Sequence, residues 1–293
     1  EKTIFADLFE ENESTDRIDE HQEQQQCDDD ASETKCTIEH ELKNEPTQID
    51  NNDDDIVVPT LYLKVANNNE TMAKMKYYET LAWRRHNNID GILSEPHPHF
   101  NTIKEHFPHY AHLRGKNNEI VYYESPAKIN LRALRNAGVT MDVLFRHYIK
   151  MTEFIWTHVE PSEEGRSIYV MDLAGARLLD FAGDVVKFVR RASDTCNTHY
   201  PGRNVLMVIV NAPYWFNVIW KFMKAFVPTH ILEQVRVVQG TEKEIKQVLS
   251  ESINVENIPP EYGGTSVPLG GSPEERMLAN LMMQNNLHLS SDA

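Results

Sequence analysis

The chain has 293 residues and a formal net charge of −16, and nearly all of that charge is local. Residues 1–56 hold 20 Asp and Glu against 4 Lys and Arg, which leaves 25 acidic and 25 basic residues in the remainder. A neutral main body offers no basic field for duplex nucleic acid, so that partner class is excluded. No stretch approaches the roughly 18 apolar residues of a membrane span, and no signal-peptide pattern opens the chain. The three cysteines, Cys27, Cys36 and Cys196, are too few for a disulfide framework and point to a reducing, cytoplasmic setting.

In chain order, residues 1–56 read as a disordered acidic tail, because isolated apolar residues cannot repay the entropy of ordering. The tail either solubilises the protein or docks on a protein partner through Phe5-Ala-Asp-Leu-Phe9. Thr71 to His86 has helical periodicity, with Met72, Met75, Tyr78, Leu81 and Ala82 on one face. Glu95 to His112 carries three prolines and five histidines. The histidines suggest a metal, but no carboxylate or thiol stands at ligand spacing, and no metal or cofactor is expected.

From here strand and helix alternate. Strands are expected at Ile120–Tyr123, Ser167–Asp172, Val205–Val210 and Val235–Val238, with helices at Met141–His158, Gly183–His199 and Thr241–Ser252. In the helix from Gly183, Val185, Val186, Phe188, Val189 and Ala192 are expected inward. Thr241 and Glu244 form a capping-box pattern, and the residues after Ser272 suggest one short further helix. Helices between such strands imply βαβ crossovers, hence an α/β fold with a mostly parallel sheet.

The helix expected between Pro213 and Pro228 is unusual. Asn217, Lys221 and Lys224 form one narrow polar stripe, while Trp215, Phe216, Val218, Ile219, Trp220, Phe222, Met223 and Phe226 cover the rest. It needs an apolar partner on a second side, whether protein, a greasy ligand or a membrane. No dinucleotide, P-loop, nucleophile-elbow or zinc-protease motif appears, and Asp172 has no assignable nucleophile or base beside it, so the chain does not read as an enzyme.

Nine segments, taken in order, resemble the Sec14-like lipid-binding family with its CRAL-TRIO fold. They are Thr80-Leu-Ala-Trp-Arg-Arg85, Phe107-Pro-His-Tyr-Ala-His112, Val121-Tyr-Tyr-Glu124, Lys128-Ile-Asn-Leu131, Tyr169-Val-Met-Asp-Leu-Ala-Gly175, His199-Tyr-Pro-Gly-Arg203, Asn211-Ala-Pro213, Lys224-Ala-Phe226 and Ile258-Pro-Pro-Glu-Tyr-Gly-Gly264. The resemblance implies a helical N-terminal lobe over residues 57–117, a sheet-floored lobe with an apolar pocket over 118–267, and a C-terminal tail over 268–293. The helix after Asn-Ala-Pro would gate that pocket. The implied lipid-binding residues are Tyr122, Phe154, Tyr169, Met171, Phe188, Met207, Ile209, Phe216, Ile219, Trp220 and Met223.

The implied partners are a hydrophobic lipid and a transient membrane surface, with Lys221 and Lys224 near lipid phosphates or forming a solvated stripe. The implied role is lipid transfer, or alternatively lipid-gated sensing that regulates a partner through the acidic tail. The residues used by family members for inositol headgroups are replaced here by Gly202, Ile231 and Gln234, and those used for choline by Arg177 and Leu179. Arg177 faces either an anionic group or Asp172 or Asp180.

Overall fold

The computed structural model describes residues 56–177, 183–223 and 232–291. The tail, Leu179, Asp180, Lys224, Phe226 and Ile231 lie outside the described residues, as do the side chains of Val186, Ile219, Phe222 and Met223.

Two helices open the fold, α1 (Thr60–Val65) and α2 (Glu70–His86), the second capped by the Asn69 side chain accepting from Met72 N. The inward face of α2 differs from the one its periodicity suggests. Ala73 and Thr80 are buried, whereas Met72 and Met75 are 49% and 66% exposed, and Ala82 is exposed too. Small residues let α1 approach closely: Tyr62 donates to Thr80 Oγ1 at 3.0 Å, and the Tyr62 and Tyr77 rings lie 5.1 Å apart. After the short helix α3 (Phe100–His106) comes β1 (His109–Arg114), a strand the three prolines concealed. His109, Ala111 and His112 are its buried residues, so the inward positions of this strand are filled partly by imidazoles.

The remaining elements follow the expected alternation. They are β2 (Ile120–Glu124), α4 (Leu131–Asn136), α5 (Met141–Phe154), β3 (Ser167–Asp172), α6 (Asp184–His199), β4 (Asn204–Val210), α7 (Phe216–Met223), β5 (Val235–Val237) and α8 (Glu242–Ser252). A π-helical turn, Ile155–Val159, continues α5. On α6, Phe188 and Ala192 are buried as expected, but Val189 is exposed. The strands stand in sequence order, β1 antiparallel to β2 and each later pair parallel.

Thr241 Oγ1 accepts from Glu244 N, while the Glu244 carboxylate accepts from Thr241 N, so both ends of the capping box are made. Thr241→Ala should cost about 1 kcal/mol, read as a lower denaturation midpoint with unchanged slope.

The last helix, α9 (Pro273–Ser291), is longer than its pattern suggests, because Leu278 and Met282 are the buried apolar residues among its described side chains. Its first turn meets the outer edge of β1. Ala111 N donates to Glu275 Oε1 at 2.9 Å, and Ser272 Oγ donates to the Ala111 carbonyl at 2.8 Å. Lys104 completes the corner with an ion pair to Glu275 at 2.7 Å.

Candidate functional site

The two faces of the sheet are packed differently. One face carries Val121, Tyr123, Ile168, Val170, Val208 and Val210, all nearly inaccessible and packed against Ile245 and Leu249 of α8. The opposite face presents Ile209, which is buried, together with Tyr122, Glu124, Tyr169, Met171, Met207, Val235 and Val237, which are half-buried. Along β3 burial alternates strictly, with Ile168, Val170 and Asp172 buried and Ser167, Tyr169 and Met171 half-buried. A mainly apolar face that is not closely packed leaves room for apolar matter.

The expected lipid-lining residues fall into connected groups on this side. Met171, Met207, Ile209, Phe216 and Trp220 cluster with Trp215, Leu173, Ala176 and Ala212. The Tyr122 and Tyr169 rings lie 6.0 Å apart. Phe188 packs with Phe107 and Leu144 on the flank, and Phe154 packs with Met151, Leu278 and Met282 beneath α9. A cleft of about 430 Å³ between α7 and β5 is lined by Asn217, Trp220, Leu232, Val235 and Val237 among others.

The helix α7 begins at Phe216 rather than at Pro213. Phe216, Asn217 and Val218 N–H groups bond to the carbonyls of Pro213, Tyr214 and Trp215, tightening the entry into i→i+3 turns. The expected polar stripe is divided: Asn217 donates to Gln239 Oε1 at 2.5 Å, while Lys221 is exposed. The outward ridge is instead Tyr214 (91% exposed), Val218 (59%) and Lys221. Arg177 is also exposed.

Asp172 is a structural hub. Its Oδ1 accepts from Asn211 Nδ2 at 2.7 Å and Ala174 N at 2.9 Å, and its Oδ2 accepts from Tyr262 Oη at 3.2 Å and faces Lys128 Nζ at 3.6 Å. Four of the segments that carry the family resemblance therefore meet on one carboxylate. Two more meet where Trp83 stacks on His199, ring centroids 4.0 Å apart. Their recurrence as motifs has a packing cause.

The histidines form a relay rather than a metal cage. His97 Nε2 lies 2.7 Å from His147 Nδ1, and His147 Nε2 lies 2.8 Å from His109 Nε2. His109 Nδ1 donates to the Phe107 carbonyl at 2.7 Å, which leaves its Nε2 to accept from His147, whose Nδ1 then accepts from His97. Nitrogens this close share protons, not a cation held at about 2.0 Å from each. Burial lowers all three imidazoles, His97 to about 4, so the relay is neutral.

Glu124, Tyr148 and Cys196 were not among the expected site residues. Glu124 shares strand parity with Tyr122, so a carboxylate on the half-buried face was visible in the pattern. Desolvation raises its carboxyl to about 7, against a lowering hydrogen bond from Tyr169.

A mostly parallel sheet with one closely packed face, and a second face against which α7 packs Phe216 and Trp220, defines a mixed α/β domain. The CRAL/TRIO domain family matches residues 104–264, and the chain belongs to that family. The SEC14 cytosolic factor of Eremothecium gossypii is 24% identical over 192 residues, covering 63% of this chain and 61% of its own length. The phosphatidylinositol/phosphatidylcholine transfer protein SFH7 of Arabidopsis thaliana is 24% identical over 219 residues, covering 72% of this chain and 39% of its own. Among solved structures, the crystal structure of Sfh5 superposes with a TM-score of 0.53 at 16% identity, over 65% of this chain and 66% of that one. The chain thus spans less than two thirds of the length of these relatives.

Proposed function

We propose that this protein binds a hydrophobic lipid on the half-buried face of its sheet, beneath α7, and transfers it at membrane surfaces. The observation that carries the reading is the strict burial alternation of β3, one side buried and the other half-buried. The names of the relatives support it, one being a phosphatidylinositol/phosphatidylcholine transfer protein and another a cytosolic factor. Among the described residues no helix is long and apolar enough to cross a membrane. The chain acts as a carrier rather than an enzyme, and it works from the cytoplasm. Exchange takes place on the bilayer, because a lipid with ~30 buried methylenes at ~0.8 kcal/mol each would lose about 24 kcal/mol on entering water.

In this reading α7 is the gate, and Tyr214, Val218 and Lys221 meet the membrane. Native mass spectrometry of the purified protein should find a lipid bound, and labelled lipid should move between vesicles in its presence. Absence of both would overturn the reading. The double substitution V218D/K221E should weaken binding to anionic vesicles about 10- to 100-fold at low salt, from a lost apolar contact of about 1.5 kcal/mol and about 1 kcal/mol for the lysine. Co-sedimentation measures it, and unchanged binding would remove α7 from the docking surface.

A further inference from the structure

Where β2, β3, α5 and α6 meet, five protonable side chains gather: Tyr122, Glu124, Tyr169, Tyr148 and Cys196. Glu124 is hydrogen-bonded to Tyr169, and the Tyr148 hydroxyl lies 2.8 Å from Cys196 Sγ. All five keep some exposure, yet desolvation dominates their ionisation, raising the Glu124 carboxyl to about 7 and the thiol and phenols above their usual ranges. Beside them, Glu124 borders a small cavity whose other walls include Phe107, Ile129, Leu131, Met141 and Phe188.

Every ionisation open to this cluster makes negative charge. The groups next to it do not offset that charge. His109, 6.3 Å from Tyr122 between ring centroids, is neutral, and Lys104 is already paired with Glu275. A second anion placed here meets a low dielectric and a like charge, the arrangement two carboxylates cannot share while both are ionised. An uncharged hydroxyl meets neither penalty and can hydrogen-bond to the carboxyl and phenols.

We propose that Glu124 is a specificity-determining residue that keeps carboxylate-terminated chains out of the inner end of the pocket and admits the same chain ending in a hydroxyl. The inference rests on the lipid-pocket reading and names a selectivity of that pocket. The ligand class is an uncharged hydrophobe with a hydrogen-bonding terminus.

The test compares oleyl alcohol with oleate, identical chains, as competitors of a fluorescent lipid at pH 6 and pH 8. Wild type should prefer the alcohol at both, and between pH 6 and pH 8 the ratio should grow on the order of tenfold more than oleate's own ionisation gives, as Glu124 loses its proton. In Glu124→Gln only the growth set by oleate's own ionisation should remain, and in Cys196→Ala the growth should follow wild type. Tyr169→Phe removes the hydrogen bond that favours the ionised carboxylate, so the growth should set in at higher pH. Equal growth of the ratio with pH in wild type and Glu124→Gln would overturn the proposal. If neither ligand binds any variant at either pH while all remain folded by circular dichroism, the pocket reading itself falls and takes this inference with it.

Discussion

Glu153→Ala should cost the fold about 3–5 kcal/mol, the usual consequence of removing one partner of a buried ion pair. Arg84 reaches across from α2 and donates twice to Glu153 on α5, Nη1 to Oε1 at 2.8 Å and Nη2 to Oε2 at 3.0 Å. The same carboxylate accepts from the Tyr200 hydroxyl at 2.5 Å, just beyond the end of α6. Three separate elements are thus tied by one buried side chain. The pair holds the guanidinium well above its already high ordinary range against a strong desolvation penalty. Alanine would leave the Tyr200 phenol without its acceptor and Arg84 with Asp90 as its remaining carboxylate, at 2.7 Å. Glu153→Gln, which keeps the shape, should cost less. Urea denaturation checks both, and a loss below 1 kcal/mol for alanine would mean that water replaces the carboxylate with little penalty.

Glu124→Gln should act in the opposite direction and stabilise the protein at pH 8 by about 2–3 kcal/mol. The carboxyl ionises near 4.5 when unfolded but keeps its proton to about 7 in the fold. Between those values the unfolded state binds fewer protons than the folded one, so stability falls as pH rises. At about 1.4 kcal/mol for each pKa unit, the rise from 4.5 to about 7 gives a loss of at most about 3.5 kcal/mol once pH is well past 7. Below pH 4.5 both states are neutral and the two proteins should melt alike. Thermal melts at pH 4 and pH 8 decide it, and a constant difference between the two proteins would mean that the substitution acts through packing instead. A carboxylate held at this cost in stability is what a binding group tuned for selectivity looks like.

The elements most legible in the sequence are those whose pattern and burial share one cause. The Val205–Val210 run is apolar throughout, and it is buried on both faces only over Val208–Val210, its first half being half-buried. The Thr241 capping box is legible because it is a contact between near neighbours. β1 was hidden because its inward residues include His109 and His112, which hydropathy counts as polar. The buried face of α2 was misjudged because contact with α1 selects small side chains, Ala73 and Thr80, over the larger methionines.

The site was legible in parity but not in state. Sequence alternation puts Tyr122, Glu124, Tyr169 and Met207 on one face, but it cannot say which face is packed and which is left open. Tyr148 and Cys196 come to that face from two different helices, through contacts 48 residues apart in sequence. No local pattern encodes such a meeting.

The corner where α9 meets β1 has a consequence for how copies of this chain behave together. An outermost strand normally presents main-chain donors and acceptors that can template a neighbour's strand. Here Ala111 gives its N–H to Glu275 and takes a hydrogen bond from Ser272, so its outward capacity is consumed within the chain. The sheet cannot be extended through Ala111 while α9 stays docked, and the last helix serves as a guard against self-association along that margin.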